Sequence, residues 1–482
     1  MMDFRPVGYV IGLTVMALGL TMILPMLVDI AEGRGHWTVF AQTSILTTLS
    51  GSLVALACRS GVQEGLTIQQ TFLLTTGVWV VLPLFGSLPF MLGATELRAV
   101  DAIFESMSGL TTTGSTVIVG LDNLPKGILL WRGLMQWLGG VGIIVVALAF
   151  LPELRVGGMQ LFKAEAFDTF GKILPRATEI ASRISVVYVG LTLCCIVGYL
   201  VTGMNAFDAT VHAMTTLATG GLANYDASFG TFGAATHYMS SLFMLLAALP
   251  FVRFVQITAG TARPLLRDPQ VHGFLATVAA IVLVLTLWQF VALNEPTEES
   301  FREVLFNTVS LITGTGYSSA DYQLWGSFPV AILFFTGLIG GCAGSTACSI
   351  KIFRYQLLIA SIRVQIRRIR TPHGVFTPRF AGRPVDAEVL NSVMSFFVMF
   401  VVTLGGLSVL LGLAGLDFTT ALSGAATALA NVGPGLGDVI GPAGNFAPLN
   451  DTAKWILTAA MLIGRLELLV VYVIFTLNFW RS

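Results

Sequence analysis

The sequence predicts an all-α membrane protein. Four repeats, each a span, a re-entrant pore loop and a second span, form a pseudo-fourfold arrangement around one pore, and two extra transmembrane helices precede them at the N-terminus. Three observations predict this class. The composition is too apolar for a water-soluble chain, ten stretches have the character of membrane spans, and a short apolar segment followed by Gly and Thr separates the members of each of the last four pairs.

The composition favours lipid as the surroundings of the protein. Of the 482 residues, 55% are hydrophobic and only 11% are Asp, Glu, Lys or Arg, whereas a typical soluble domain has about 25% charged residues. The net charge is zero, so no global field indicates a nucleic acid as a partner. The first apolar run, 7–28, is longer than the apolar region of a signal peptide, about 7–15 residues, and its length matches a hydrocarbon core of about 30 Å.

Ten spans are predicted, and the last eight fall into four pairs. Apolar segments of about 10–14 residues, as found inside each pair, are candidates for re-entrant helices. The predicted spans begin near Val7, Val39, Thr71, Gly127, Ile184, His237, Gly273, Ser327, Leu390 and Thr452. The corresponding units are an N-terminal helix pair at 1–68, repeats at 69–180 and 181–270, a third repeat with a gate loop and a basic cytoplasmic segment at 271–385, and a fourth repeat at 386–482.

Basic residues follow the even-numbered spans, which predicts the orientation, because Lys and Arg concentrate on the cytoplasmic side. These residues are Arg155, Lys163, Lys172, Arg176 and Arg183 after the fourth span, Arg253, Arg263 and Arg267 after the sixth, and Lys351, Arg354, Arg363, Arg367, Arg368, Arg370, Arg379 and Arg383 after the eighth. The opposite loops carry Glu295, Glu298, Glu299, Asp321 and Asp438. Both termini are therefore predicted to be cytoplasmic, and the four re-entrant segments open outward. Because the four units then have the same orientation, they can surround an axis normal to the membrane. Inverted repeats would instead be related by a twofold axis in the membrane plane.

The four short segments share a register. They run over 101–114, 208–221, 303–316 and 420–433, and three of the four place a carboxylate thirteen residues before the aligned glycine, with Asp417 slightly earlier in the fourth. The alternative is four unrelated Gly/Thr turns at helix ends. Recurrence at matching positions favours one repeated structure.

This register suits a cation filter. A carboxylate at the start of a short helix complements the positive N-terminal dipole, and the carbonyl end then points toward the membrane centre. A cation that enters the returning strand loses water and takes carbonyl oxygens as ligands. Glycine allows the necessary backbone conformations and leaves room for four strands to meet.

Several motifs then resemble one known family. They are Thr111-Thr-Thr-Gly114, Ala218-Thr-Gly-Gly221, Gly314-Thr-Gly-Tyr317, Asn431-Val-Gly-Pro-Gly-Leu-Gly437, Gln136-Trp-Leu-Gly-Gly-Val-Gly-Ile143, Gly341-Cys-Ala-Gly-Ser-Thr346 and Gly464-Arg-Leu-Glu467. Together the motifs resemble the Trk/Ktr/HKT superfamily of K+ transporters, and most closely its bacterial TrkH type. The resemblance covers essentially the whole chain, including the N-terminal pair that distinguishes TrkH from the shorter Ktr subunits.

The resemblance implies K+ as the transported ion, without a covalent cofactor, and a filter that binds K+. The implied filter residues are Thr112, Thr113, Gly114, Ala218, Thr219, Gly220, Gly221, Gly314, Thr315, Gly316, Asn431, Val432 and Gly433. In some plant members a serine at the first filter glycine is associated with Na+, so Gly114 favours K+. The second repeat departs from the family pattern at Ala218 and Leu222.

The eighth span is dense in small residues between Thr336 and Lys351. One interpretation is close helix packing of the small-xxx-small type. The other, which the resemblance implies, is a loop below the filter. Four glycines between Gly337 and Gly344 weaken a helix by about 1 kcal/mol each, which favours the loop. The implied gate comprises Gly340, Gly341, Cys342, Ala343, Gly344, Ser345, Thr346 and Arg465.

Arg465 lies near the middle of the last predicted span, where an arginine costs at least about 2.5–3.5 kcal/mol. It is therefore expected to face the pore or a partner, and Glu467 and Asp438 are candidates. One hypothesis is a structural ion pair with Glu467. The other is a positive charge below the filter that tunes ion occupancy.

Two transport mechanisms remain open. One is channel-like K+ uptake through a gated pore, and the alternative is a symporter that couples K+ to H+ or Na+. Apart from Glu467, no acid is predicted well inside the spans, which favours the first. No phosphate-binding loop, dinucleotide fingerprint or nucleophile elbow is present, so an enzyme is not predicted.

The predicted setting is the bacterial cytoplasmic membrane. The run 363–370 marks the cytoplasmic side and the lipid head groups, and the resemblance adds a second interpretation, a docking site for a cytosolic regulatory subunit. The resemblance implies a homodimer and a cytosolic nucleotide-binding regulatory subunit of the NAD or ATP type; no nucleic acid partner is expected.

Overall fold

The computed structural model describes residues 3–61, 66–149, 158–159, 177–292 and 297–481. The predicted orientation markers Arg155, Lys163, Lys172, Arg176 and Glu295 lie outside these ranges. The regular secondary structure of the described residues is helical apart from a small antiparallel hairpin of Arg379–Phe380 with Arg383–Pro384. The helices are Arg5–Thr21, Ile23–Ala31, Trp37–Cys58, Ile68–Gly86, Leu88–Leu92, Ala99–Leu110, Lys126–Ala149, Ala177–Val201, Ala206–Leu217, Ala234–Ala247, Phe251–Thr258, Arg263–Leu266, Pro269–Ala292, Glu298–Thr313, Ser327–Ile339, Ile352–Arg370, Ala387–Leu413, Phe418–Ala430, Gly437–Ile440, Asp451–Arg465, Leu469–Ile474 and Leu477–Arg481.

Within the described residues, seven helical segments are long and apolar enough to cross a membrane, and an eighth candidate is a bent pair. The bent pair is the predicted sixth span, whose halves Ala234–Ala247 and Phe251–Thr258 meet at 92°. Pro250, which lacks an N–H group, stands at this bend. The chain is therefore less regular than ten straight spans.

The eighth and tenth predicted spans are also broken. The eighth ends as a helix at Ile339 and resumes at Ile352. The tenth ends at Arg465, and Glu467 and Leu468 then have φ angles of +58° and +47° before the helix resumes at Leu469. Hydropathy shows how long an apolar stretch is, but it does not show whether the helix bends or breaks within that stretch. Hydropathy alone therefore did not predict these breaks.

The N-terminal helices pack through small residues. A Cβ on Gly12 would stand 2.6 Å from the backbone nitrogen of Ala55, and a Cβ on Gly51 would stand 2.4 Å from that of Met16, so the two helices can approach this closely only with glycine. The pair is tied to the first repeat by Asp29, which is fully buried and accepts a hydrogen bond of 2.8 Å from the backbone N–H of Gly127.

Four short helices, here called the inner helices, follow the first span of each repeat. Most of their residues are buried. The inner helices are Ala99–Leu110, Ala206–Leu217, Glu298–Thr313 and Phe418–Ala430. Each therefore occupies the place where a segment too short to span was predicted.

A carboxylate lies at the start of every inner helix, but in the third helix it is not the carboxylate that the register predicts. Asp101 and Asp208 lie in the first turns of the first two. The third helix begins earlier than the register implies, so Glu298 and Glu299 occupy its first turn and Glu303 lies further along. In the fourth, Asp417 caps the helix, and its hydrogen bonds with Thr420 lower the pKa of its carboxyl.

Candidate functional site

The same turn follows each inner helix. We call the segments 111–118, 218–225, 314–320 and 431–436 the return segments. In each, the aligned glycine and the residue two places before it have positive φ. These pairs are Thr112 (+51°) and Gly114 (+88°), Thr219 (+49°) and Gly221 (+77°), Gly314 (+74°) and Gly316 (+81°), and Asn431 (+52°) and Gly433 (+107°). Three of these residues are not glycine and hold a conformation that L-residues rarely adopt, so this turn is a specific feature of the chain.

One backbone hydrogen bond closes each of these turns. The residue before the aligned glycine donates its N–H to the carbonyl of the residue five places earlier. The four bonds are Thr113 to Ser108, Gly220 to Thr215 and Thr315 to Ser310 at 2.9 Å, and Val432 to Thr427 at 3.0 Å. The chain thus builds one structure four times from four different sequences.

The return segments contact one another in a closed cycle. A Cβ added to any aligned glycine would stand no farther than 3.0 Å from a carbonyl oxygen of the next return segment. These contacts join Gly114 to Gly220, Gly221 to Thr315, Gly316 to Val432, and Gly433 back to Thr113. The four glycines therefore surround one place, and none of them has room for a side chain.

The cycle forms the floor of an open cavity of about 500 Å³ that Gly114, Gly221, Gly316 and Gly433 all line. Asp226 and Asp438 are among its other lining residues. All thirteen predicted filter residues lie in the four turns of this floor, and those with side chains are fully or almost fully buried. The polar groups of these thirteen residues are backbone amides, threonine hydroxyls and one side-chain amide, and no carboxylate is among them.

Side chains behind the cycle hold the second return segment in place. The amide of Gln136 donates to the carbonyl of Gly220 and accepts from the N–H of Leu222 at 3.1 Å. Arg132 donates to the carbonyl of Ala223 at 2.7 Å and forms a buried ion pair of 2.8 Å with Glu105. Sequence reasoning missed the role of Arg132, although the argument that singled out Arg465, a charge inside a predicted span, applies equally here.

Two further contacts join different return segments. Ser115 donates to the carbonyl of Gly433 at 2.8 Å, and the amide of Asn431 donates to the hydroxyl of Thr113 at 2.8 Å. Both connect the fourth repeat to the first, which are far apart in sequence. The carbonyl of Gly433 is thus already engaged by a protein donor, as is that of Gly220.

The predicted departure of the eighth span from helix agrees with the structure. Residues 340–351, here called the midspan loop, have no helical conformation. The backbone N–H of Cys342 donates to Ala248 at 3.0 Å, and the N–H of Phe251 donates to Gly344 at 2.9 Å. The loop is therefore bound to the bend of the sixth span, whose broken helix leaves backbone groups free to pair with it.

The far side of the midspan loop lies against the turns of the return segments. The N–H of Ser349 donates to the carbonyl of Ala430, at the end of the fourth inner helix, at 3.1 Å. Cys348 has its sulfur 3.8 Å from the hydroxyl of Thr112, and its backbone nitrogen would be 3.6 Å from a Cβ on Gly314. The loop thus contacts the inner-helix ends of the first, third and fourth repeats.

Arg465 reaches this loop, as predicted, but not through a carboxylate. It is buried, and its guanidinium donates to the carbonyl of Thr346 at 3.4 Å, to the sulfur of Cys348, and to the carbonyl of Gly139 at 3.3 Å. No acidic partner of Arg465 occurs among the residues that the structure describes. The predicted candidates are wrong, because Glu467 has other partners and Asp438 lines the open cavity on the other side of the turns.

Glu467 instead forms a buried cluster with two cations. One carboxylate oxygen is 3.1 Å from the ammonium of Lys351, and the other accepts a hydrogen bond from Arg354. All three side chains are almost completely buried. Lys351 ends the midspan loop and Arg354 lies in the first turn of the helix that follows, so the cluster fixes the lower end of the loop to the break in the tenth span.

We expect Glu467→Gln to lower the stability of the protein strongly, by about 3–5 kcal/mol, because Lys351 and Arg354 would keep buried charges without a carboxylate. The midpoint of thermal unfolding of the purified protein measures this loss. Glu32→Gln is the matched control, since Glu32 pairs with Lys126 at 2.7 Å in an exposed position and such pairs contribute about 0–1 kcal/mol. Equal midpoints for the two variants would contradict the structural role of the cluster.

Comparisons with known proteins agree with this architecture. The family profile of TrkH, described as a cation transport protein, matches residues 36–481. The Trk system potassium uptake protein TrkI of Halomonas elongata is 46% identical over 481 residues, covering 99% of this chain and 97% of that protein. The Trk system potassium uptake protein TrkH of Escherichia coli strain K12 is 36% identical over 488 residues, and the alignment covers 100% of this chain and 100% of that protein.

A solved structure has the same fold. The crystal structure of the potassium transporter TrkH from Vibrio parahaemolyticus superposes with a TM-score of 0.91 at 33% sequence identity, and the match covers 100% of both chains. The predicted fold class of a helical, multi-span membrane protein with an N-terminal helix pair is therefore confirmed.

Proposed function

Because this chain belongs to the TrkH family of cation transport proteins, we propose that it takes up K+ across the bacterial cytoplasmic membrane through a gated, channel-like pore. The observation that carries the proposal is the closed cycle of the four return segments, in which every aligned glycine abuts the next segment. Such a cycle supports a selectivity filter, where backbone carbonyls replace the hydration shell of the ion.

The proposed filter consists of the thirteen residues of the four turns. The carbonyls of Gly220 and Gly433 already accept hydrogen bonds from Gln136 and Ser115, so we assign the main K+ contacts to the other carbonyls of the turns and to their threonine hydroxyls. Uncharged oxygen ligands favour a large monovalent cation, because they hold it without the strong field of a carboxylate.

The proposed gate consists of residues 340–346 of the midspan loop together with Arg465. The loop lies against the inner-helix ends, on the side of the turns opposite the open cavity, and would there obstruct an ion that has passed the filter. Several of its hydrogen bonds go to backbone groups of the bent helix, and its displacement would leave these groups in a water-filled pathway that can satisfy them.

Symport with H+ or Na+ is the alternative mechanism. A coupled proton needs a carboxylate that can change its charge on the ion path. In the described part of the chain, Glu467 is held by two cations and Glu105 by Arg132, and protonation of either would leave a buried positive charge unpaired. These pairs support passive conduction.

The reversal potential of the purified protein in liposomes tests the function. We expect the potential to follow the K+ gradient and to stay unchanged when a pH or Na+ gradient is added. A shift with either added gradient would establish coupling and overturn the channel-like mechanism. Absence of any K+ flux in folded protein with the loop removed would contradict K+ transport itself.

We expect Gly114→Ser to reduce the preference for K+ over Na+ at least about fivefold, because a serine side chain would stand against the carbonyl of Gly220 and distort the cycle. The permeability ratio from reversal potentials measures this. The matched control is Gly120→Ser: Gly120 has a similar φ of +76°, but a Cβ there would contact nothing within 4 Å. The control imposes the same kind of backbone strain outside the cycle, so an equal change in both variants would count against the filter assignment.

We propose that the repeats span 69–180, 181–270, 271–385 and 386–482 in pseudo-fourfold arrangement, which fits first helices that begin at Ile68, Ala177, Pro269 and Ala387. We propose that both termini lie in the cytoplasm, which the positions of the basic residues support. A homodimer and a cytosolic nucleotide-binding regulatory subunit are proposed from the family membership, and neither nucleic acid nor enzymatic activity is part of the proposal.

A further inference from the structure

A basic groove lies at the end of the helix that follows the midspan loop. The second half of helix Ile352–Arg370 forms one wall, and the segment 375–379, which leads into the small hairpin, forms the other. Together they enclose an open cavity of about 440 Å³. This groove is separate from the filter and the gate, and the transport mechanism does not use it.

Three arginines line the groove. Arg363 and Arg367 lie four residues apart and therefore on the same face of the helix, and Arg379 comes from the opposite wall. No acidic residue lines the groove, and none of the three arginines has an acidic partner in the part of the chain that the structure describes. The second wall is anchored to the helix, because Arg368 donates to the carbonyl of Phe376 at 3.0 Å.

Such a set of donors fits a phosphate group. Arginine presents its N–H groups in a planar fork that binds two oxygens of one phosphate, and it remains charged at any physiological pH. Cations on opposite walls can bind different oxygens of the same anion.

The surface beside the groove favours a phospholipid as the source of the phosphate. Ile362, Ile366 and Ile369 are exposed on the same helix, spaced so that they form one stripe beside the arginines. A helix with adjacent apolar and basic faces lies at the surface of an anionic membrane, with its apolar face among the acyl chains. The helix also directly follows a proposed membrane-embedded loop, so the groove lies within reach of the head groups.

We propose that Arg363, Arg367 and Arg379 form a binding site for the phosphate of an anionic phospholipid on the cytoplasmic side of the protein. This site is independent of the proposed K+ transport and would hold the helix that ends the midspan loop at the membrane surface.

Binding of defined ligands to the purified full-length protein in a neutral detergent tests the proposal. The probes are a short-chain phosphatidylglycerol, a short-chain phosphatidylcholine and inorganic phosphate. The variants are Arg363→Gln combined with Arg367→Gln, and Arg379→Gln alone; Arg370→Gln is the matched control, since Arg370 belongs to the same helix but does not line the groove. We expect both groove variants to weaken the affinity for phosphatidylglycerol at least about tenfold and Arg370→Gln to leave it nearly unchanged.

The outcomes separate the ligand sources. The same pattern with inorganic phosphate would support the site and identify a free phosphate as a second ligand. Equal affinity for phosphatidylcholine, equal weakening in Arg370→Gln, or no binding of any probe would overturn the proposal. Gel filtration and the unfolding midpoint without ligand verify folding, and Arg379→Gln tests the site alone if the double variant does not fold.

Discussion

Excision of residues 342–348, with Gly341 joined to Ser349 through two glycines, is expected to raise K+ flux at least about tenfold in folded protein. A tenfold change corresponds to about 1.4 kcal/mol removed from the barrier. The excised residues include those that contact the bend of the sixth span and the turn at Thr112. Their removal is expected to open the pathway below the proposed filter without changing any of its thirteen residues.

The fold is expected to survive this excision because the two ends of the midspan loop lie side by side. The N–H of Lys351 donates to the carbonyl of Ile339 at 2.9 Å, and that of Ile352 donates to Gly341 at 3.0 Å. The two helices therefore need not move when the chain is shortened. Lys351 also stays in place, so its buried cluster with Glu467 is retained.

Flux is measured as K+ uptake into liposomes per folded molecule, without any added protein. Ser349→Ala is the control, since it removes a hydroxyl that donates to Gly337 at 2.6 Å, lies outside the proposed gate and keeps the length of the loop. The K+ to Na+ permeability ratio is expected to stay unchanged, because the filter is not altered. Unchanged flux in folded, excised protein would show that the midspan loop is not the gate.

Local sequence signals predicted the elements that depend on local physics. The inner helices were found because each is apolar and too short to span, and each ends in a Gly/Thr turn. The break of the eighth span was found because four glycines fall within one short stretch. The resemblance to a known family then implied that the four turns form one site. In the structure, all thirteen predicted filter residues lie in these four turns.

Features that depend on tertiary contacts were missed or assigned wrongly. The contact between Gly433 and Thr113 closes the cycle and joins residues far apart in the chain. A local sequence pattern cannot predict such a contact. Glu467 was one of two candidate partners of Arg465, and a structural ion pair between them was one of two hypotheses. The helix ends at Arg465, and the backbone has a positive φ at Glu467. The two side chains therefore point in different directions and contact different residues.

The positive charge of Arg465 is the basis of the second large expected effect. The buried guanidinium donates to carbonyl and sulfur acceptors and lies 5.7 Å from the centroid of the Trp79 ring. No carboxylate among the described residues neutralises its charge. Two unit charges about 8 Å apart repel by about 2 kcal/mol at an effective dielectric constant of about 20. A fixed cation next to the turns of the filter would thus lower the occupancy of K+ and slow its passage.

Arg465→Met is therefore expected to raise K+ flux at least about fivefold, since methionine fills a similar space without charge. Arg465→Lys separates the charge from the hydrogen bonds: lysine keeps the cation but cannot contact Thr346, Cys348 and Gly139 at once. If repulsion limits the flux, the lysine variant conducts like the original protein and only the methionine variant conducts faster. If the hydrogen bonds to the midspan loop hold the gate shut, both variants conduct faster. Uptake per folded molecule distinguishes these results, and a loss of folded protein in both variants would instead assign Arg465 a purely structural role.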